Sequence, residues 1–260
     1  MFMGKRWRWL VAGTLCLLPS AIVNAAETGL KSASTFLSED LKKREADETA
    51  NPGMLWVIEG EELWNKIEDG AGKSCASCHG DAKASMKGVA TRYPAIDPAS
   101  GRLLNLELRI NACRERHQGK VVFPYESEEL LALTAYIARQ SLGMPLKVNT
   151  DGAAAPYYEN GRELFYLRQG QINLSCAQCH EDNVGRHLRG DIISSAIPAG
   201  YPAYRIEWQT LGSLHRRLRA CSLGVRAIQF PYGSEEYLSL ELYLAKRAEG
   251  SHIEAPAIRK

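Results

Sequence analysis

The chain has 260 residues, of which 32 are Lys or Arg and 30 are Asp or Glu, so the formal net charge at pH 7 is +2. This length suits one large domain or two small ones. The near balance of charges does not indicate the basic surface that a nucleic-acid-binding protein uses, so no nucleic-acid partner is expected.

Residues 1–25 have the pattern of a secretory signal peptide. Lys5, Arg6 and Arg8 precede an apolar run that is too short to cross a bilayer, and Ala25 offers a cleavage site. Cleavage removes three positive charges and no acidic residue, so the formal charge changes from +2 to −1. No later stretch is long and apolar enough for a membrane helix. We therefore expect a periplasmic protein with no membrane span after signal cleavage.

Two copies of the sequence Cys-x-x-Cys-His follow, at 75–79 and 176–180. This spacing is the attachment signature of c-type haem, because two thiols add to the haem vinyl groups and the adjacent histidine becomes the proximal iron ligand. The sequence therefore predicts two covalently attached haem c groups. The thioether cysteines are Cys75, Cys78, Cys176 and Cys179, and the proximal ligands are His79 and His180.

The surroundings of the two motifs repeat along the chain. The sequence after Gly60 recurs after Gly161, and the Tyr-Pro-Ala tripeptide at 93–95 recurs at 201–203. The second copy carries seven extra residues, around 185–195. Each copy shows helical spacing of its apolar residues around one haem motif. The repeat predicts an all-α protein made of two tandem cytochrome c-like domains.

The repeat and the composition also suggest where the domains begin and end. The expected segments are a signal peptide at 1–25, an N-terminal extension at 26–59, a first domain at 60–142, a linker at 143–156, a second domain at 157–250 and a C-terminal tail at 251–260. We expect the extension to contain a solvated helix and the tail to be a solvated segment.

The ligand on the far side of each haem decides what the haem can do. Methionine is a usual distal ligand of electron carriers, and the chain has none after Met144. Cys113 and Cys221 are related by the same shift along the chain as the two Tyr-Pro-Ala tripeptides. They are thus equivalent in the repeat, which favours one thiolate ligand per haem. A disulfide between these two cysteines, or histidine ligation, is the alternative. The histidines available are His117, His187 and His215.

Arg217 precedes Cys221 by four residues, so the two side chains share one face of a predicted helix. A guanidinium group has a fixed fork of donors that suits an oxyanion. The same spacing relates Arg109 to Cys113, so pairing with a haem propionate is as good an interpretation as contact with a substrate. Small residues follow Cys221 whereas bulky charged residues follow Cys113, which makes Cys221 the more accessible thiol.

With these motifs, essentially the whole mature chain resembles the SoxA family, the dihaem subunits of the SoxAX cytochromes. Arg217-x-x-x-Cys221 after the second haem is the specific part of the resemblance. It implies a periplasmic thiosulfotransferase that couples thiosulfate oxidatively to a cysteine of the SoxYZ carrier. It also implies that Cys221 is the catalytic cysteine, found in the family as a persulfide and as an axial haem ligand. Arg217 would bind the substrate, and Cys113 would ligate the first haem.

The resemblance further implies partners and an electron path. These are a heterodimer with the haem subunit SoxX, the carrier SoxYZ as substrate, and a small cytochrome c that accepts two electrons through SoxX. The alternative function is a dihaem electron-transfer cytochrome with no bond-forming role. The absence of methionine after Met144 disfavours an ordinary carrier, and Arg217 beside Cys221 favours the enzyme.

Overall fold

The computed structural model describes Met1 and residues 29–68, 70 and 72–260. The expected signal peptide lies, apart from Met1, outside these residues. Within the described part of the chain, no helix is both long and apolar enough to cross a membrane.

Helices make up most of the regular structure, so the expected all-α class is confirmed. The α-helices are α1 (Glu39–Ala46), α2 (Met54–Asn65), α3 (Cys75–His79), α4 (Ala82–Ser85), α5 (Leu106–Cys113), α6 (Glu128–Arg139), α7 (Ala155–Tyr166), α8 (Cys176–His180), α9 (Leu214–Gly224) and α10 (Glu235–Arg247). A π-helical turn, Arg114–Gln118, continues α5.

The strands are only two or three residues long. Along the chain, all but the last of them lie between helices. They are β1 (Ala95–Ile96), β2 (Leu103–Leu104), β3 (His187–Leu188), β4 (Asp191–Ile192), β5 (Ala203–Arg205), β6 (Thr210–Gly212) and β7 (Ala257–Arg259). Strands β1 and β2 form one antiparallel pair and β3 and β4 another. The remaining three form a sheet in the order β6-β5-β7, in which β7 is parallel to β5.

The last helix of each half forms for the same local reasons. Ser127 caps α6 by accepting a hydrogen bond from Leu130 N, and Ser234 caps α10 by accepting one from Tyr237 N. Both helices have two glutamates in the first turn, where negative charge is favoured by the helix dipole. Most of the remaining side chains of α6 and α10 are buried, so these two helices form the centres of their halves.

Each half contains an equivalent close crossing of two helices. Helix α2 packs on α6 and α7 packs on α10, with Gly60 against the backbone of Ala132 and Gly161 against the backbone of Ser239. A Cβ atom on Gly60 would lie 2.7 Å from the Ala132 carbonyl carbon, and one on Gly161 would lie 2.5 Å from the Ser239 carbonyl carbon. No side chain fits at these distances, so glycine permits the backbones to touch.

His215 lies in the contact between the two halves. Its ring stacks on Tyr125 at 5.3 Å, and Tyr125 stacks in turn on Tyr232. His215 Nε2 lies 3.0 Å from a carboxylate oxygen of Glu241, and Nδ1 accepts a hydrogen bond from Gly233 N. Both ring nitrogens therefore have protein partners, as expected of a packing residue rather than of an iron ligand.

The expected solvated tail is wrong, because residues 251–260 are largely buried. Strand β7 pairs with β5, and Ala257 and Ile258 are almost fully enclosed. Arg259 forms ion pairs with Glu45, at 2.9 Å, and with Glu254. The segment contains Pro256 and ends in two basic residues, Arg259 and Lys260, so its sequence does not look like that of a core strand. It becomes one by pairing with a strand that lies far earlier in the chain.

Replacing Gly161 with alanine tests the helix crossing. We expect Gly161→Ala to lower the free energy of unfolding by about 1–3 kcal/mol or more, because α7 and α10 must move apart to admit the methyl group. Thermal unfolding followed by circular dichroism measures the change. The control is Gly190→Ala, since a Cβ atom there meets no other atom within 4 Å. Equal melting temperatures for the two variants would contradict this account of the crossing.

Candidate active site

Both haem motifs form short helices that are closed by the same capping box. In α8, the Ser175 hydroxyl accepts a hydrogen bond from Gln178 N, and the Gln178 side chain accepts one from Ser175 N, at 3.2 and 3.0 Å. In α3, Ser74 and Ser77 make the same pair of bonds. Reciprocal bonds of this kind fix the first turn of a helix. Each attachment motif is therefore held in one conformation by its own neighbours.

The imidazole of His180 is oriented by the seven-residue insertion of the second half. The insertion contributes the β3-β4 hairpin, and Ser194 follows this hairpin in the chain. The carbonyl oxygen of Ser194 accepts a hydrogen bond from His180 Nδ1 at 2.7 Å. This bond fixes the tautomer in which Nε2 keeps a free lone pair, as an iron ligand requires.

Arg247, at the end of α10, ties the backbone of this motif to the core. It donates to the carbonyl oxygens of Ser195, at 2.6 Å, and His180, at 3.4 Å. It also forms an ion pair with Glu181 at 3.1 Å, while its guanidinium lies 5.1 Å from the ring centre of Phe165. These contacts hold both the histidine and the segment that orients it.

Cys221 lies on α9, with its sulfur next to the imidazole of His180. Burial raises the pKa of the Cys221 thiol, but the positive charge of Arg217, the neighbouring His180 imidazole and the charge of Arg205 outweigh it. The pKa falls from 9.0 to about 7. A large fraction of the sulfur is therefore thiolate near neutral pH, which is the nucleophilic and iron-ligating form.

The two cysteines outside the haem motifs, Cys113 and Cys221, are called the additional cysteines, and each lies beside the haem motif of its own half. The pKa of Cys75 is raised to about 11 by burial and by the nearby Cys113 sulfur. The pKa of Cys176 is raised to about 12 by burial and by the nearby Cys221 sulfur. All the cysteines in the described part of the chain are unbonded, so the structure contains no disulfide between Cys113 and Cys221.

The donor set fits a c-type haem with one histidine and one cysteine ligand. In the second half, two unbonded thiols and a histidine with a free Nε2 lie on one short helix, and a third thiol faces them. Two of the other candidate ligands, His117 and His187, have different surroundings from His180, since His187 lies exposed on β3 and His117 lies in the π-helical turn.

The two arginines that precede the additional cysteines have different surroundings. Arg109 donates to the buried carboxylate of Asp97 at 2.8 Å, and Arg116 binds the same carboxylate at 2.7 Å. Arg217 is largely enclosed and acts electrostatically on the Cys221 sulfur. No carboxylate of the described residues lies within ion-pair distance of the Arg217 guanidinium. Its donors are therefore available for an anion, whereas those of Arg109 are committed.

The structure brings together the site residues that the sequence singled out in the second half, namely Cys176, Cys179, His180, Arg217 and Cys221. It places Cys75 and Cys113 together in the first half, where His79 packs against Trp64. Sequence reasoning missed Ser194 because it acts through its own backbone carbonyl, and it missed Arg247 because this side chain binds backbone carbonyls of a distant segment. Arg205 was also missed, although its position in the repeat could have drawn attention to it.

Known proteins are similar to this chain over most of their length. A family described as "SoxA/TsdA, cytochrome c domain" matches residues 59–146 and 160–253. The chain is 43% identical to the L-cysteine S-thiosulfotransferase subunit SoxA of Pseudaminobacter salicylatoxidans, over 86% of this chain and 79% of the relative. It is 38% identical to the SoxA subunit of Rhodovulum sulfidophilum, over 88% and 80%.

A solved structure of a related protein is also similar to this chain. The crystal structure of SoxXA from P. pantotrophus matches with a TM-score of 0.84 and 36% identity, over 88% of this chain and 86% of that one. The fold and the attachment motifs define a c-type cytochrome with two cytochrome c domains and covalently bound haem c. Within that class, the chain belongs to the SoxA family.

Removing the guanidinium of Arg247 tests whether it supports the second haem motif. We expect Arg247→Met to lower the free energy of unfolding by about 1.5–3 kcal/mol, since charge-assisted hydrogen bonds to the motif are lost. Thermal unfolding measures the effect. The matched control is Arg162→Met, which removes only an exposed pair with Glu159 and should change stability by less than about 0.5 kcal/mol. Equal losses in both variants would show that Arg247 has no special supporting role.

Proposed function

We propose that this chain is the dihaem subunit of a periplasmic L-cysteine S-thiosulfotransferase, which couples thiosulfate to a cysteine of the SoxY carrier protein. The observation that carries this proposal is the pair formed by Cys221 and Arg217. A thiol with a lowered pKa lies next to the haem-motif histidine, and the adjacent guanidinium has no carboxylate partner among the described residues. An electron carrier needs neither feature, whereas a bond-forming site for an anionic substrate needs both.

In this proposal each domain, 60–142 and 157–250, holds one haem c. The first haem is attached through Cys75 and Cys78 and ligated by His79 and Cys113. The second haem is attached through Cys176 and Cys179 and ligated by His180 and Cys221. When bound, the second haem supplies an electron acceptor next to the sulfur of Cys221.

Arg217 has the role of binding and orienting the substrate. Its guanidinium donates charge-assisted hydrogen bonds to the sulfonate oxygens of thiosulfate, each worth about 1.5–3 kcal/mol. Because Arg217 lies one helical turn before Cys221, the outer sulfur of the bound thiosulfate is held next to the thiolate. The lowered pKa keeps Cys221 in the nucleophilic form at neutral pH.

The reaction on Cys221 then proceeds in two balanced stages. First, the thiolate and the thiosulfate dianion form one S–S bond and give up two electrons to a c-type cytochrome acceptor. Next, the carrier thiol attacks this bond, so that the thiosulfate group moves to the carrier, one proton is released and the Cys221 thiolate is restored. In the persulfide form that the family resemblance implies, the outer sulfur of Cys221 plays the same part.

The partners in this proposal follow from the relatives. The similar crystal structure is described as SoxXA, which supports a heterodimer of this chain with a SoxX haem subunit. The electrons leave through SoxX to a small cytochrome c, and the SoxYZ carrier docks at the entrance to Cys221. A periplasmic location agrees with covalent haem attachment and with the signal-like N-terminus.

The replacement Cys221→Ala tests the catalytic role of this residue. We expect thiosulfate- and SoxYZ-dependent reduction of cytochrome c to fall by about 1,000-fold or more, because no sulfur remains to form the covalent intermediate. The control is Ser222→Ala, which alters the next residue on the helix and should retain activity. Full activity of Cys221→Ala, with both haems attached, would exclude the proposed mechanism.

The haem content and ligation can be measured independently of activity. Intact mass of the mature protein should show two haem additions and cleavage after the signal peptide. Electron paramagnetic resonance should show low-spin ferric signals of thiolate–imidazole type, and Cys113→Ala should alter only the signal of the first haem. A single haem addition, or a spectrum unchanged in Cys113→Ala, would contradict the proposed ligand set.

A further inference from the structure

Arg205 occupies the position that Asp97 has in the first half. Strands β1 and β5 are equivalent in the repeat, since Ala95 pairs with Leu104 as Ala203 pairs with Gly212. Two residues after the alanine of each strand stand Asp97 in the first half and Arg205 in the second. The repeat has therefore exchanged a buried negative charge for a positive one.

In the first half this position completes a closed ionic network. The carboxylate of Asp97 is buried and accepts hydrogen bonds from Arg109, Arg116 and Ser100. These bonds, above all those from Arg116 and Ser100, hold the pKa of Asp97 well below its usual range. Both guanidinium groups, of Arg109 and Arg116, thus have a buried carboxylate partner within the protein.

In the second half the same place has an excess of positive charge. Arg205 is only 4% exposed, and its Nε atom is buried without a hydrogen-bond acceptor among the described residues. Its Nη2 atom lies 3.4 Å from Glu207 and 3.7 Å from Asp191, but both carboxylates are exposed, so these long pairs contribute little. A buried guanidinium with an unsatisfied donor is costly unless an anion binds to it.

The charge of Arg205 acts at the same place as that of Arg217. The ring of Trp208 lies 5.0 Å from the Arg205 guanidinium and 4.3 Å from that of Arg216, which precedes Arg217 on α9. Arg205 is therefore held beside the helix that carries Arg217 and Cys221, and its charge, like that of Arg217, acts on the Cys221 sulfur. The second half therefore has two arginines without a buried carboxylate partner among the described residues, whereas the two arginines of the first half both bind the buried carboxylate of Asp97.

We propose that Arg205 is a second substrate-binding residue of this site, and that it binds the sulfonate end of the thiosulfate dianion together with Arg217. This inference rests on the proposed function and extends it to a residue outside the Arg-x-x-x-Cys motif. Two guanidinium groups favour a dianion over a monoanion, and they compensate the negative charge that accumulates when thiosulfate approaches a thiolate. The exchange of Asp97 for Arg205 explains why only the second half can bind the substrate.

The test compares variants of the haem-loaded, full-length protein. Arg205→Met removes the charge and keeps most of the side-chain volume, and Arg205→Lys restores the charge without the planar fork. The matched control is Arg216→Met, because Arg216 lies on the same Trp208 ring, at 4.3 Å, but does not share the face of α9 on which Arg217 and Cys221 lie one turn apart. The measurements are thiosulfate affinity by calorimetry, KM and kcat with SoxYZ, haem content by intact mass, and the reduction potential of the second haem.

We expect Arg205→Met to weaken thiosulfate binding and to raise KM at least tenfold, which corresponds to about 1.4 kcal/mol. Arg205→Lys should recover part of the affinity, and Arg216→Met should remain within twofold of the unmodified protein. If Arg205→Met fails to incorporate haem, the thiosulfate affinity of Arg205→Lys decides the question, and we expect it to be about threefold weaker than that of the unmodified protein.

Two results would overturn the inference. One is unchanged thiosulfate affinity in the Arg205 variants. The other is a shifted reduction potential of the second haem with unchanged affinity, which would make Arg205 a partner of a haem propionate. Arg217→Met separates this inference from the proposed function. If the unmodified protein binds thiosulfate and Arg217→Met weakens binding while the Arg205 variants do not, only the role of Arg205 is wrong. If the unmodified protein does not bind thiosulfate, both are wrong.

Discussion

The crossing of α7 and α10, where Gly161 lies on the backbone of Ser239, determines where the second haem motif can be. Helix α10 is buried along most of its length, so its position is set by packing that tolerates little displacement. Its last residue, Arg247, reaches the carbonyl oxygens of His180 and Ser195. A contact between two helices thereby fixes the backbone of the proposed iron ligand. The insertion that ends at Ser195 then sets the direction of the imidazole.

The two halves share this framework but differ in the charge they place around the additional cysteine. In the first half, Asp97 neutralises the arginine that precedes Cys113. In the second half, Arg205 replaces that aspartate and Arg217 has no carboxylate partner among the described residues. Because the backbone frame is the same, the proposed division of roles between the two halves rests on this difference in electrostatics. Such a division of roles is a natural result of a repeat whose copies have diverged.

Much of the fold could be predicted because its signals are local or repeated. Helices α6 and α10 follow from Ser-Glu-Glu and from the spacing of their leucines, and the repeat pairs Cys113 with Cys221. The C-terminal segment was predicted wrongly, since its burial depends on pairing with β5 rather than on its own composition. The choice between substrate and propionate for Arg217 was also open from sequence, because the equivalent Arg109 shows the same spacing. Only the position of Asp97 distinguishes the two arginines.

The sequence by itself determined the covalent chemistry and the candidate sulfur. A haem attachment site needs two thiols and a histidine within one turn, so contiguous residues are sufficient to define it. The tertiary structure decided which groups surround that sulfur and its neighbouring histidine, since Arg205, Ser194 and Arg247 lie outside both sequence motifs and approach them only in the folded chain. Electrostatic interactions and hydrogen bonds depend on distance in space, and a spacing along the chain cannot report whether a guanidinium already has a buried partner. For this reason the motif predicts a haem, while the folded chain shows which of its two halves leaves its arginines without a buried carboxylate partner among the described residues.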